Sequence, residues 1–299
     1  ATSTPMPGAM LGMTLLSLAV SMGLPGNALV LWNCAVNHRR SIPVLLIFHL
    51  ALADVVTLLT GPIYLRALSV GSWDMGMAVC RGCHYVCATA MYVSIFLIAL
   101  LALHRCLVVF RPTSKLVTGG SHAQRLVHGT AVVTWLVASI LATPSIIFYQ
   151  IQDSHCQRLY KKDEWLVFHN LLEFILGWAL PLAAVASGYG LLIHRLCQTR
   201  LARRRRTFRM VATVAVAFAV SWGPYHLASL LEVVAVLQSG DKSLYYVAKA
   251  ARIPAITLAF LSSAVNPLLY ACAGWRQGIC ARGCLSQILE VSATTSTSR

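Results

Sequence analysis

The chain has 299 residues, 58% of them hydrophobic and only 11% charged, with a mean hydropathy of +0.70. A soluble domain carries about 25% charged residues, and the deficit here runs along the whole length, which excludes an ordinary soluble enzyme or binding module and indicates a polytopic membrane protein. The net charge of +15 would suit nucleic acid, but its placement argues against that partner: sixteen of the 24 Lys and Arg residues, Arg39, Arg40, Arg105, Arg125 and Arg203 through Arg206 among them, fall on one side of the apolar segments against one acid, Glu290. The other side is nearly balanced, so the positive-inside rule assigns the basic side to the cytoplasm and the N-terminus to the outside. Arg203 through Arg206 read equally well as a topology signal drawn to anionic lipid and as a partner contact.

A spanning helix needs roughly 20 mainly apolar residues. Seven such segments are predicted, at about 9–36, 43–69, 77–109, 125–149, 165–197, 207–237 and 244–271. The chain shows no internal repeat of the kind many transporters carry. The first segment contains Pro25-Gly26-Asn27, and the second places Asp54 within Leu50-Ala51-Leu52-Ala53-Asp54. An ionisable group at that depth costs several kcal/mol and marks a functional position; the bland alternative is a neutral, hydrogen-bonded Asp in a packed core. The third opens at Cys80 and carries Arg105 within His104-Arg105-Cys106. The fourth has Trp135, the fifth Pro181 and Tyr189, and the sixth Phe218 followed by Trp222-Gly223-Pro224. Pro224 removes one backbone hydrogen bond and kinks its helix. The seventh ends in Asn266-Pro267-Leu268-Leu269-Tyr270. A proline at membrane depth is tolerated where side chains, neighbouring helices or waters re-satisfy the freed carbonyls, and Asn266 offers such a side chain.

Of the ten cysteines, most lie within apolar segments, where a thiol packs as a small hydrophobe. Cys80 and Cys156 instead face the oxidising side, where a disulfide can persist. Cys80 and Cys83 form a C-x-x-C that no second pair completes as a zinc site. Nothing at the N-terminus reads as a cleavable signal.

In identity, order and spacing, Asn27, Asp54, Cys80, Arg105, Trp135, Pro181, Tyr189, Phe218, Trp222, Pro224, Asn266, Pro267 and Tyr270 resemble the pattern of rhodopsin-like (class A) G-protein-coupled receptors, over nearly the whole chain. The resemblance implies an all-α membrane fold, a seven-helix bundle with a short amphipathic eighth helix. It implies a Cys80–Cys156 disulfide. It implies an allosteric sodium site at Asp54, Ser94, Ser262 and Asn266, consistent with a hard cation's preference for oxygen ligands. It also implies a switch: with Trp222, and Phe218 one turn deeper, lying between the ligand pocket and the Pro224 kink, the cytoplasmic half of the sixth helix swings outward, and Arg105, Tyr189 and Tyr270 line the cleft that receives a heterotrimeric G protein, with the inhibitory class expected. One departure stands out. Most relatives read Asp-Arg-Tyr where this chain has His104-Arg105-Cys106, so the acid that restrains the arginine is missing. Either raised basal signalling or a substitute restraint is expected.

Local stretches, notably Cys80-Arg81-Gly82-Cys83-His84-Tyr85-Val86-Cys87, Met91-Tyr92 and Trp222-Gly223-Pro224-Tyr225-His226, are similar to leukotriene B4 receptors. A hydroxylated fatty acid needs a cation for its carboxylate, polar groups for its hydroxyls and an apolar slot. His84, Tyr92, Glu173, Tyr225 and His226 supply polar groups at pocket depth, and Arg66, Lys249 and Arg252 sit at outer helix ends as candidate anchors. Snorkelling to headgroups is the plain alternative for those ends. The similar receptors carry arginines near the outer ends of the fourth and sixth helices, where this chain has Gln150 and Ala235. Peptide chemoattractants and prostanoid-type ligands remain alternatives, as do a non-coupling decoy, suggested by His104, and a transporter. A retinal protein would need a lysine midway along the last helix, and Lys249 lies too near its outer end.

Residues 1–271 thus read as the receptor domain and 272–299 as an amphipathic helix, at about 274–290, with a cytoplasmic tail. Trp275, Ile279, Ile288 and Leu289 among Arg276 and Arg282 fit a helix lying in the interface. Cys280 and Cys284 are plausible palmitoylation sites, and the Ser/Thr-rich end could take receptor-kinase phosphates and recruit arrestin.

Overall fold

Each of the seven apolar segments folds as helix, and proline decides where several of them bend. The computed structural model describes residues 7–36, 41–111, 113, 120–199, 205–238 and 242–275. In chain order these form α1 (Pro7–Val36), α2 (Ile42–Leu59), α3 (Gly61–Val70), α4 (Gly76–Phe110), α5 (Ser121–Leu141), α6 (Thr143–Phe148), β1 (Tyr149–Gln152), β2 (His155–Arg158), α7 (Asp163–Phe174), a π-helical turn (Ile175–Ala179), α8 (Leu180–Thr199), α9 (Arg205–Leu237) and α10 (Lys242–Trp275). Seven stretches are long and apolar enough to cross a membrane: Ala9–Val36, Ile42–Val70, Gly76–Phe110, Ser121–Phe148, Asp163–His194, Val211–Leu237 and Ser243–Tyr270. They are the first to seventh spans. The expected eighth helix, with Cys280 and Cys284, and the Ser/Thr-rich tail lie outside the described residues; the described Gly274 and Trp275 continue α10.

The second segment, expected as one helix over 43–69, is two, because Pro62 cannot continue the ladder and Thr60 takes the cap between α2 and α3. The fourth begins four residues earlier than expected, at Ser121, and Pro144 separates α5 from α6. In the fifth, the widened turn Ile175–Ala179 stands just before Pro181, where the missing N–H disturbs the normal register. Pro224 and Pro267 lie inside unbroken α9 and α10.

The third span is the axis of the bundle. Tyr92, Val93, Ile95, Leu97 and Ile98 are buried at the centre of the main apolar cluster, which also takes Leu46 and Leu50 from the second span and Val214 and Phe218 from the sixth. A second cluster joins Leu16 and Ala19 to Leu58, Phe260 and Ala264. There the first span lies so close to its neighbours that a Cβ on Gly23 would meet Leu58 Cδ1 at 2.6 Å and the Ala264 Cα at 3.1 Å. Asn27 fastens the same seam, donating from Nδ2 to the carbonyls of Gly23 at 3.0 Å and Ser263 at 2.9 Å.

Between the fourth and fifth spans, where the sequence predicts a loop, β1 and β2 form an antiparallel hairpin. Asp153 and Ser154 turn it with φ of 51° and 60°, the positive values that a tight two-residue hairpin needs. The Cys80–Cys156 disulfide, with a Cα–Cα distance of 5.7 Å, pins it to the start of the third span. Trp73 N–H donates to the Ser154 carbonyl at 2.6 Å. The hairpin thereby becomes a floor across the outer mouth of the bundle.

Candidate functional site

The pinned hairpin directs two side chains inward. Tyr149 stacks on His84 of the third span, ring centroids 3.7 Å apart and planes 12° apart, and His84 Nδ1 meets the Tyr64 hydroxyl at 2.9 Å. Opposite Tyr149 in register is Arg158, buried at 9% exposure. Its Nε donates to the Tyr149 hydroxyl at 3.1 Å, its Nη1 to Asn170 Oδ1 at 2.9 Å, and its Nη2 to both Glu173 oxygens at 3.0 and 2.8 Å and to the Tyr225 hydroxyl. Tyr225 in turn donates to Glu173 Oε2 at 2.9 Å, and His169 Nε2 stands 3.3 Å from Oε1. Burial works against the Arg158 charge, but the Glu173 carboxylate outweighs it and holds the guanidinium above the ordinary arginine range.

A second ion pair adjoins the first. Arg252 Nη2 donates to Glu232 Oε2 at 2.9 Å and to Ser229 Oγ at 3.0 Å. Asn170 joins the two pairs, accepting from Arg158 and donating to Glu232 Oε2 at 3.1 Å. The hairpin and the fifth, sixth and seventh spans are therefore tied by one buried network of balanced charge. Arg252 keeps Nε and Nη1 buried without a partner, so its capacity to bind an anion is not exhausted.

Beneath this network lies a small cavity of about 40 Å³, lined by Tyr64, His84, Cys87, Met91, Tyr149, Arg158, Glu173, Trp222, Tyr225 and Phe260 among others. Of the expected ligand residues, His84, Glu173 and Tyr225 reach it. Arg252 adjoins it, its guanidinium carbon 5.2 Å from the Tyr225 ring centre. Tyr92 and His226 do not line it; they lie under the fifth span, where a Cβ on Gly177 would meet Met91 Cε at 2.8 Å and Tyr92 Cε1 at 3.3 Å. The Tyr92 hydroxyl and both His226 ring nitrogens are buried there without hydrogen-bond partners.

Arg66, expected as an anchor, is elsewhere. Its side chain is 58% exposed and holds Asp74 at 3.0 and 2.5 Å, because α3 carries it out to the rim. The Asp74 carboxyl is lowered below its ordinary range, chiefly by that hydrogen bond. Arg158, Asn170, Ser229 and Glu232 were missed. The available signal was Cys156: a disulfide two residues before Arg158 fixes the backbone, and in a strand the residue two positions on faces the same side.

Midway down, Asp54 is 1% exposed and accepts from Asn266 Nδ2 at 2.8 Å. Ser94 and Ser262 are buried in the third and seventh spans. Asn266 Oδ1 is buried with no partner. A buried carboxylate beside an orphaned carbonyl oxygen fits a small cation. The rings of Phe218 and Trp222 stack at 5.9 Å and 28°, and Trp222 meets Tyr225 edge-on at 5.7 Å. Aromatic contact thus runs unbroken from the Arg158–Glu173 network to the Pro224 segment.

At the inner end, among the described residues, Arg105 makes no ion pair and its Nε is buried without a partner; His104 Nδ1 and the Tyr270 hydroxyl are likewise unpartnered. Tyr189 packs against the main cluster, and Cys106 Sγ reaches the Gly188 carbonyl at 3.5 Å.

Seven spans, a small pocket under the hairpin and an aromatic stack leading from it to Phe218 are the arrangement of a membrane receptor. The family model of the seven-transmembrane receptors of the rhodopsin family matches residues 26–270, and the chain belongs to that family. It is 40% identical to human leukotriene B4 receptor 1 over 271 residues, covering 89% of this chain and 77% of the relative. It is 41% identical to rat leukotriene B4 receptor 1 over 284 residues (92% and 80%) and 36% identical to rat leukotriene B4 receptor 2 over 270 residues (87% and 74%). As a member of this family the chain is a multi-pass plasma-membrane receptor and not an enzyme, and its partners are an agonist and a G protein.

Proposed function

We propose that this receptor responds to a hydroxylated lipid acid, with leukotriene B4 the first candidate, and signals through the inhibitory class of Gα. The observation that carries the reading is the Arg158–Glu173–Tyr225 cluster over an apolar cavity. A lipid acid offers Arg158 or Arg252 a carboxylate and offers Glu173 a hydroxyl donor, so it can replace each partner in kind; a neutral or cationic ligand cannot. Bidentate arginine geometry favours the carboxylate. The cavity is far smaller than the roughly 300 Å³ or more of an ordinary ligand site, so binding must lift the hairpin and part the Arg158–Glu173 pair. Trp222, touching Tyr225, then carries the displacement to the Pro224 kink. The N-terminus lies outside and Arg105, Tyr189 and Tyr270 face the G protein. The tail serves receptor kinase and arrestin.

Sodium fits at Asp54, with Asn266, Ser94 and Ser262 as its neighbours. When bound, the ion supplies counter-charge to the carboxylate and favours the resting state. Asp54→Asn should abolish the sodium sensitivity of agonist affinity, and unchanged sensitivity would remove the site.

The deciding experiment is nucleotide exchange on purified inhibitory G protein, with the receptor in lipid bilayers and leukotriene B4 titrated. Saturable stimulation supports ligand and coupling together. Basal exchange above receptor-free controls with no response to ligand keeps the receptor and rejects leukotriene B4. Silence in both favours the decoy reading that His104 suggests.

A further inference from the structure

A further bond joins the fifth and sixth spans, away from the Arg158–Glu173 network. The Trp178 indole Nε1 donates to the backbone carbonyl of Ala219 at 3.2 Å. Trp178 lies in the π-helical turn Ile175–Ala179, and such widened turns gather at functional positions. Its ring is held in place by neighbours: the Phe174 centroid stands 5.7 Å away and that of His226 6.0 Å away, and it packs against the main apolar cluster. Trp178 thus belongs to the fifth span and meets α9 on either side of Pro224, at Ala219 before the proline and at His226 after it.

The carbonyl it holds stands where the sixth span is weakened. Pro224 has no N–H to give the carbonyl of Val220, the residue next to Ala219. Ala219 lies about 7.5 Å along the helix from Pro224 at the helical rise. A change of about 20° in the kink therefore shifts its carbonyl by about 2.5 Å. Even a shift square to the bond stretches 3.2 Å to about 4 Å, where no hydrogen bond remains. The bond and a swing of the cytoplasmic half of α9 exclude one another. In the same structure the Arg158–Glu173 pair is closed, which on the function proposed above is the arrangement before a ligand enters.

We propose that Trp178 is a positioning residue that holds the sixth span in its resting kink, through the bond from its indole N–H to the Ala219 carbonyl, and so sets how often the receptor signals without agonist. The inference rests on the reading above that α9 bends at Pro224. It places at the hinge the substitute restraint that His104-Arg105-Cys106 calls for, since Arg105 makes no ion pair among the described residues. A phenylalanine at this position keeps a ring in the packing and loses the bond.

The test uses the whole receptor in phosphatidylcholine nanodiscs, labelled with 5-fluorotryptophan, and reads the fluorine resonance of Trp222, assigned by its loss in Trp222→Phe. Trp222 stands two residues before Pro224, and its surroundings change with the kink. Without agonist, Trp178→Phe should raise the share of the minor Trp222 line about five-fold, the worth of one neutral hydrogen bond. Replacing Trp178 by 3-benzothienylalanine, which exchanges the N–H for sulfur and keeps the double ring, should do the same. A lowered melting temperature with an unchanged Trp222 line would make Trp178 a packing residue and overturn the proposal. A fall in the minor line would overturn it too, by placing the bond in the signalling state. The readout needs neither agonist nor G protein, so it stands if leukotriene B4 or the inhibitory class proves wrong. Pro224→Ala separates the proposal from the hinge on which it rests. If that variant leaves the Trp222 line unchanged, hinge and proposal fall together; if it moves the line and the Trp178 variants do not, only the role of Trp178 falls.

Discussion

The two ends of the bundle solve the problem of buried polar groups in opposite ways. At the outer end Arg158, Glu173, Asn170, Tyr225, Glu232 and Arg252 form a network in which each guanidinium meets a carboxylate. At the inner end Arg105 has no ion pair among the described residues, and His104 and Tyr270 keep unpartnered atoms. Breaking a buried pair by removing one member is costly, because the other charge is stranded. On the function proposed above, the outer end is a latch that a ligand of matching chemistry opens without stranding a charge. Among the described residues the inner end has no such latch; there Leu192 packs with Tyr189 and Val109.

The strongest way to break this contrast is at Arg158. Arg158→Ala strands Glu173 and should destabilise the receptor by about 3–5 kcal/mol, seen as a lowered melting temperature, with high-affinity agonist binding lost. The double variant Arg158→Met with Glu173→Met should recover much of the stability but not the binding, which separates the structural part of the latch from the recognition part.

Next in size is the second pair. Glu232→Gln keeps the hydrogen bond and removes the charge, freeing Arg252. It should raise affinity for a carboxylate ligand several-fold and slow its dissociation, an expectation from the roughly doubled strength of charge-assisted over neutral hydrogen bonds. A fall in affinity would mean that Glu232 positions Arg252 rather than competing for it.

His104→Asp probes the inner end by restoring an acid beside Arg105. Basal nucleotide exchange should fall by a few-fold, with agonist affinity little changed. An increase would show that the imidazole already restrains Arg105 better than a carboxylate does.

The smallest effect is expected at the rim. Arg66→Ala removes an exposed pair with Asp74, and exposed pairs contribute little; agonist affinity should change by less than about two-fold. A larger change would bring Arg66 back as a ligand anchor and weaken the assignment of that role to the buried arginines.

The difference between Arg66 and Arg158 also marks how far linear reading reaches. Both are arginines at the outer boundary, and charge pattern alone ranked Arg66, at a helix end, above Arg158, in a connecting loop. The loop became a hairpin through Asp153 and Ser154, the disulfide set its height, and strand register turned Arg158 inward opposite Tyr149. Where similar receptors are expected to carry arginines, this chain has Gln150 and Ala235, and a guanidinium reaches the pocket from β2 instead. Tyr92 and His226 were expected to contact the ligand, but they do not line the cavity and pack instead against the fifth span at Gly177, a contact no spacing rule contains.

Seven apolar segments, one strongly basic side, and the positions of Asp54, Arg105, Trp222, Pro224 and Asn266 followed from the amino-acid order alone. Each depends on a local quantity: hydrophobic length against membrane thickness, charge next to a segment end, or a proline's missing N–H. The partners of Glu173 and the closure of the outer mouth required the tertiary structure. They arise where hairpin and spans distant in sequence come within hydrogen-bond reach, and a hydrogen bond is decided by tenths of an ångström that periodicity does not carry.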